Sequence, residues 1–233
     1  MENPENKSII SIGSSNLVKT EKLFSITQNK LSEIKPQYES VRIGNQEWMT
    51  RNLDLDRFRN GNLIPHLESE DEWKEAGENE QPAWCYYDND SENGRKYGKL
   101  YNWFAVNDPR GLVLEGWHLP TDEEWTILLE HLGGKNNVSH KMKSVEGWEW
   151  IDDYGQIQDG YGDNSSGLNL LPGGCRASFG SFYDIRSNAF FWTCTEDGSF
   201  GAWYRYLDAS DGNVYKNSFS KRNGFSVRCL RNY

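Results

Sequence analysis

The stretch Gly116-Trp117-His118-Leu119-Pro120-Thr121-Asp122-Glu123-Glu124-Trp125 decides how this chain is read, because it joins an aromatic strand end to a fully specified helix start. Thr121 is placed to accept from the backbone N–H of Glu124, and the Glu124 carboxylate to reach back to the N–H of Thr121, which makes a capping box. Asp122, Glu123 and Glu124 set negative charge at the positive end of the helix dipole. Trp125, Leu128, Leu129 and Leu132 follow at helical spacing, and Gly133-Gly134 ends the run. The spacing predicts a core helix whose entry is fixed.

Working outward, the 233 residues suffice for one large domain and an extension. Hydrophobic residues make up only 36% of the chain, but ten Trp, twelve Tyr and ten Phe supply a core through a few large side chains. The formal charge of −10 comes with basic residues scattered rather than gathered in a stripe, so no nucleic-acid partner is expected. No apolar run approaches the roughly 18 residues of a membrane span, and MENPENKSII has no basic start followed by an apolar stretch. A cytoplasmic protein is therefore expected if Met1 is the native start, and an exported or cell-surface one otherwise. Cys85, Cys175, Cys194 and Cys229 form no CxxC pair and do not propose a zinc site.

Residues 1–39 read as a polar, disordered lead followed by an amphipathic helix over residues 17–34. Leu17, Phe24 and Leu31 recur every seven residues, with Ile34 beyond them and Pro36 as the stop. So short a helix must bury its apolar side against something, either its own domain or a partner protein that it docks. From residue 40 to 233 the chain reads as one domain. Val41, Ile43 and Trp48 suggest a strand pair around Gly44-Asn45. A short helix is expected at Ser69–Ala76 and another over 97–106. Residues 133–165 form a long irregular insertion, and FFWTC, AWYRYL and FSVRCL are antiparallel strands between polar turns.

Six blocks in order carry a family resemblance: Ile43–Leu55, Cys85–Val106, the opening stretch, Ser166–Phe182, Phe191–Gly198 and Asn223–Asn232. Together they resemble the Fibrobacter succinogenes major paralogous domain, which is similar in turn to the C-type-lectin-like superfamily with its formylglycine-generating and retroelement-diversified members. The resemblance implies an α+β, C-type-lectin-like fold, with two helices, short antiparallel strands, long loops and paired first and last strands. Relatives often carry a cysteine before the GWHLP block, where this chain has Val113 and Leu114, which favours reduced thiols.

One scaffold of this kind hosts unrelated sites, so function is argued from side chains. A formylglycine-generating-type oxidase would need copper and a close pair among Cys175, Cys194 and Cys229, yet none lies in a short motif of that type, and Cys229 reads as a core thiol. His66, His118, His131 and His140 have no metal-ligand spacing, and His118 reads as structural. Calcium is the one cofactor with any sequence support: Asp88, Asp90 and Glu92 alternate before Gly94, and Asp152, Asp153, Asp159 and Asp163 cluster in the insertion. Both read more simply as solvated turns, and the calcium-lectin tripeptides are missing, so no cofactor is assigned. The segment Phe200–Phe219 interleaves aromatics with short polar residues, the composition of a binding loop. The ligand-binding residues read from it are Trp203, Tyr204, Tyr206, Asp208, Asp211, Asn213, Tyr215 and Asn217, joined by the Asp152–Ser166 loop. The expected function is a non-enzymatic ligand-recognition module, with a protein or glycan ligand on these residues and a tether to a partner protein through Leu17, Phe24, Leu31 and Ile34; the alternatives are a carbohydrate-binding lectin-like domain and a formylglycine-generating-type oxidase.

Overall fold

A computed structural model describes residues 38–160 and 162–232. The amphipathic segment with Leu17, Phe24, Leu31 and Ile34 lies outside the described residues. A first hairpin pairs β1 (Ser40–Ile43) with β2 (Gln46–Met49) around Gly44, whose φ of 57° suits the turn. Strand β2 then pairs through Trp48 with Leu230 of the last strand, β13 (Leu230–Arg231), which also pairs with β5 (Trp117–His118). The two ends of the folded unit are laced further by Met49 N donating to Cys229 O at 3.0 Å and Leu53 N to Val227 O at 2.8 Å.

Between these ends lie α1 (Glu70–Glu78), the small pair β3 (Trp84–Cys85) and β4 (Leu100–Tyr101), α2 (Ser91–Tyr97) and the single turn α3 (Trp103–Val106). The expected helix at Ser69–Ala76 is found as α1, with Ser69 as its cap and Glu72 closing the box. The helix expected over 97–106 is instead strand β4 followed by α3. Gly98 (φ 74°) ends α2, and the Asn102 side chain caps a new turn by accepting from Ala105 N at 3.1 Å.

The helix read from the opening stretch is α4 (Asp122–Leu132), and both halves of its capping box form. Trp125, Leu128 and Leu129 are buried against Trp48, Phe191 and Leu207, at roughly 1.5–3 kcal/mol for each large side chain. The insertion is less irregular than expected: it holds α5 (Ser139–Met142) and a hairpin of β6 (Glu149–Ile151) and β7 (Ile157–Asp159).

The larger sheet has the order β12-β11-β10-β8-β9, built from β8 (Gly173–Arg176), β9 (Phe182–Ile185), β10 (Asn188–Asp197), β11 (Gly201–Asp208) and β12 (Val214–Ser220). FFWTC and AWYRYL are strands here, as expected. FSVRCL is not one strand. Phe225 bridges Tyr101 and Ser226 bridges Phe191, and only Leu230–Arg231 is regular, because the segment threads between the two sheets and buries side chains in both directions. Gly174 (φ 63°) lets β8 crowd its neighbours: a Cβ there would meet Tyr183 O at 2.5 Å. The whole is a mixed α+β architecture, mostly strand with few helices. No helix among the described residues is long and apolar enough to cross a membrane.

Candidate functional site

Alternation along a strand sends neighbours to opposite faces, and it splits the predicted site in two. The register places Phe190 beside Tyr206 and Tyr206 beside Tyr215, with Asn188 beside Asp208 and Tyr204 beside Asn217. Tyr204, Tyr206, Asp208, Tyr215 and Asn217 therefore share one face of the sheet. Trp203 is on the other. Its ring lies 4.1 Å beneath Lys216 Nζ, and Lys216 and Arg205 both pair with the Asp122 carboxylate at 2.7 Å. Trp203 thus helps to fasten β11 and β12 to the N-terminus of α4, where the Asp122 carboxylate suits the positive end of the dipole and carries both cations.

On the first face three rings form a ladder across three strands. Phe190 and Tyr206 are stacked at 5.9 Å, and Tyr206 and Tyr215 at 4.7 Å with 16° between their planes. Tyr204 is buried beneath the ladder, 4.9 Å from Phe225, and burial raises its pKa to about 12. It belongs to the core. Phe190, Tyr206 and Tyr215 are only partly buried, and Asn217 and Phe219 are exposed.

The turn from β11 to β12 supplies the polar rim. The Tyr215 hydroxyl donates to Asp211 and accepts from Asn213 Nδ2 at 3.3 Å. Its hydrogen bond to Asp211, first of all, holds the Tyr215 pKa above the ordinary phenol value. Asp208 accepts from Ser210 N at 2.8 Å and Ser210 Oγ at 2.6 Å, and from Asn188 Nδ2 at 3.4 Å. Behind the turn, buried Lys143 donates to Asp208 O at 2.5 Å and Asp211 O at 2.8 Å, so the two carboxylate residues are held by their backbones.

Beside the ladder, a cleft of about 600 Å³ runs between the β6–β7 hairpin and the sheet. Ile151, Ile157, Ile185, Arg186, Asn188 and Asp208 are among its walls. The hairpin is largely polar but leaves Ile151, Ile157 and Tyr154 exposed, with Tyr154 88% exposed at its tip. The insertion therefore adjoins the ladder through Asp208. Asp152 itself is spent on the hairpin turn, accepting from Tyr154 N at 3.0 Å and Gln156 N at 2.8 Å. Sequence reasoning missed Phe190, Asn188 and the cleft; the parity of NAFFW held the clue, since adjacent Phe190 and Phe191 must face opposite ways.

Several of the other residues weighed for chemistry have structural partners. His118 bonds Asn232 Oδ1 at 2.6 Å through Nδ1 and Glu124 Oε1 at 2.8 Å through Nε2, tying β5, α4 and the C-terminal end together. Asp90 caps α2 by accepting from Glu92 N at 2.9 Å, and Asp163 accepts from Ser165 N at 2.8 Å. Burial pushes the Cys85 and Cys175 thiols up to about 12, and that of Cys229 higher still. Such thiols stay protonated at neutral pH and are poor nucleophiles. Among the described residues no three His, Cys, Asp or Glu side chains are grouped to hold a metal ion.

The profile of the Fibrobacter succinogenes major domain matches residues 41–231, nearly the whole folded unit. The chain belongs to this family. No curated protein and no solved structure matches it significantly.

Proposed function

We propose that this member of the Fibrobacter succinogenes major domain family is a non-enzymatic recognition module of C-type-lectin-like fold, and that its binding face is the Phe190–Tyr206–Tyr215 ladder with the adjoining cleft. The fold reading is supported by the pairing of β2 with β13, which brings the two ends of the unit together. One observation carries the functional reading: three stacked, partly open rings on rigid strands, rimmed by Asn188, Asp208, Asp211, Asn213 and Asn217. Rigid aromatics lose little conformational freedom on binding, while the carboxamides and carboxylates supply direction. Burial raises the thiol pKa of Cys175 and of Cys194, the two an oxidase would use, which favours a binding role.

The ligand is read as a polypeptide. A glycan is the second reading, favoured by the same rings, because sugar rings stack on aromatic faces. Residues 17–34 would tether the module to a second protein. The test is hydrogen exchange on the full chain with the strongest binder drawn from a random peptide library and from a glycan array read with and without calcium. Slowed exchange over 204–217 and 149–159 supports the proposed face, and slowed exchange confined to β1, β2 and α4 removes it.

A further inference from the structure

The electrostatics of the ladder differ from those of other aromatic groups in this protein. Several rings elsewhere receive cations of the chain's own: Lys99 over Trp84 and Tyr86, Arg176 over Trp73 and Phe182, Lys216 over Trp203, and Lys221 over Trp103. Among the described residues none lies over Phe190, Tyr204, Tyr206 or Tyr215. The charges beside these rings are instead acidic. Burial first, then Tyr215, Asp208 and Asp211, hold the Tyr206 hydroxyl above its ordinary pKa, and Asp208 also acts on Asp184, whose carboxyl is raised mainly by burial.

Two basic groups of this region are already engaged. Lys143 is spent on two backbone carbonyls, and Arg186 is paired with Glu149 at the cleft. Among the described residues β12 is the edge strand of its sheet, where Val214 N donates to Lys135 O at 3.0 Å, and no ring other than Tyr206 lies against Tyr215. The inner side of that ring is covered by Tyr206, and its hydroxyl leads to the Asp211 carboxylate. A planar cation stacked on the outer side of Tyr215 would meet a ring quadrupole and a carboxylate together.

We propose that the ladder receives an arginine side chain of a partner polypeptide, its guanidinium stacked on Tyr215 and paired with Asp211 and Asp208. Guanidinium suits this place better than ammonium, since it is flat, stacks on aromatic faces and forks onto carboxylates. The inference rests on the recognition reading above and narrows it to one ligand chemistry.

The test is an amide NMR titration of the full chain with tetra-arginine, tetra-lysine and cellotetraose at millimolar concentration. The two basic peptides carry equal charge, so general attraction to an acidic protein cancels between them. Tetra-arginine is expected to shift the amides of 204–217 and to bind several-fold tighter than tetra-lysine. The D208N/D211N variant, which keeps oxygen acceptors for Ser210 and Asn213, is expected to weaken it about tenfold. Silence from tetra-arginine at these amides, equal binding of tetra-lysine, or unchanged binding to D208N/D211N would overturn the proposal. Cellotetraose shifting the same amides while tetra-arginine does not would also overturn it, yet would leave the recognition reading standing. That reading falls separately, on a hydrogen-exchange footprint that avoids the ladder.

Discussion

Arg228 is a fully buried cation held by neutral oxygens. It donates to Asn52 Oδ1 at 2.7 Å, Leu168 O at 2.8 Å, Met49 O at 2.9 Å and Asn169 O at 3.3 Å, and so ties the first hairpin to the segment before β8. Lysine cannot span that fork. Arg228→Lys is expected to lose about 3 kcal/mol, seen as a lower urea midpoint with an unchanged m-value. Lys143 gives a prediction in pH. Burial lowers its pKa from 10.5 to about 8, so between pH 8 and 10.5 the unfolded chain binds more protons than the folded one, and this group's contribution to stability rises with pH. Below pH 8 it is charged in both states and the contribution is flat. The stability of wild type relative to Lys143→Met should therefore grow by about 2 kcal/mol from pH 7.5 to 10; a gap that stays constant or shrinks would refute the assignment. Neither residue was legible as an anchor. A lone Arg in FSVRCL and the second of two Lys in HKMKS look like surface charges until the fold closes over them.

Secondary structure was most legible where local chemistry agrees with tertiary demand. The capping box at Thr121 and Glu124, the apolar spacing after it and the glycine stop all point one way, and α4 forms over Asp122–Leu132, with Gly133 in the left-handed region at its end. Thr121→Ala should cost about 1–2 kcal/mol, since it also disturbs the Glu124 carboxylate that His118 holds. A thermal melt checks this, and a variant within a few tenths of a kcal/mol of wild type would mean that the box is redundant. Legibility failed at 97–106, where Tyr101, Phe104 and Ala105 imitate a helix period while Gly98 and the Asn102 cap divide the segment. It failed partly in the site as well. Aromatic-polar interleaving pointed to β11 and β12, but the faces depend on register, which sets Trp203 apart from Tyr204, Tyr206 and Tyr215 and brings Phe190 of β10 beside Tyr206.

At the scale of the molecule, Tyr38 and Glu39, which precede the domain start read from sequence, take part in the described fold. Tyr38 packs against the core around Trp103 and Phe225, burial raises its pKa to about 12, and Thr50 N donates to Glu39 O at 3.0 Å. A fragment starting at Tyr38 should accordingly melt several degrees above one starting at Ser40, as expected from about 1–2 kcal/mol of lost aromatic burial in a domain of this size. Equal melting temperatures would show that Tyr38 adds nothing. The same closed frame gives the recognition account its geometry: two sheets and α4 fix the ladder on one face and engage Trp203 on the other. The most direct test compares Tyr206→Ser with Trp203→Ser, both checked for folding, against one binder drawn from the library. The account predicts a loss of about 30-fold or more for Tyr206→Ser, as for an aromatic anchor worth at least 2 kcal/mol, and less than about twofold for Trp203→Ser. Full affinity in Tyr206→Ser with a collapse in Trp203→Ser would put the binding face on the opposite side of the sheet.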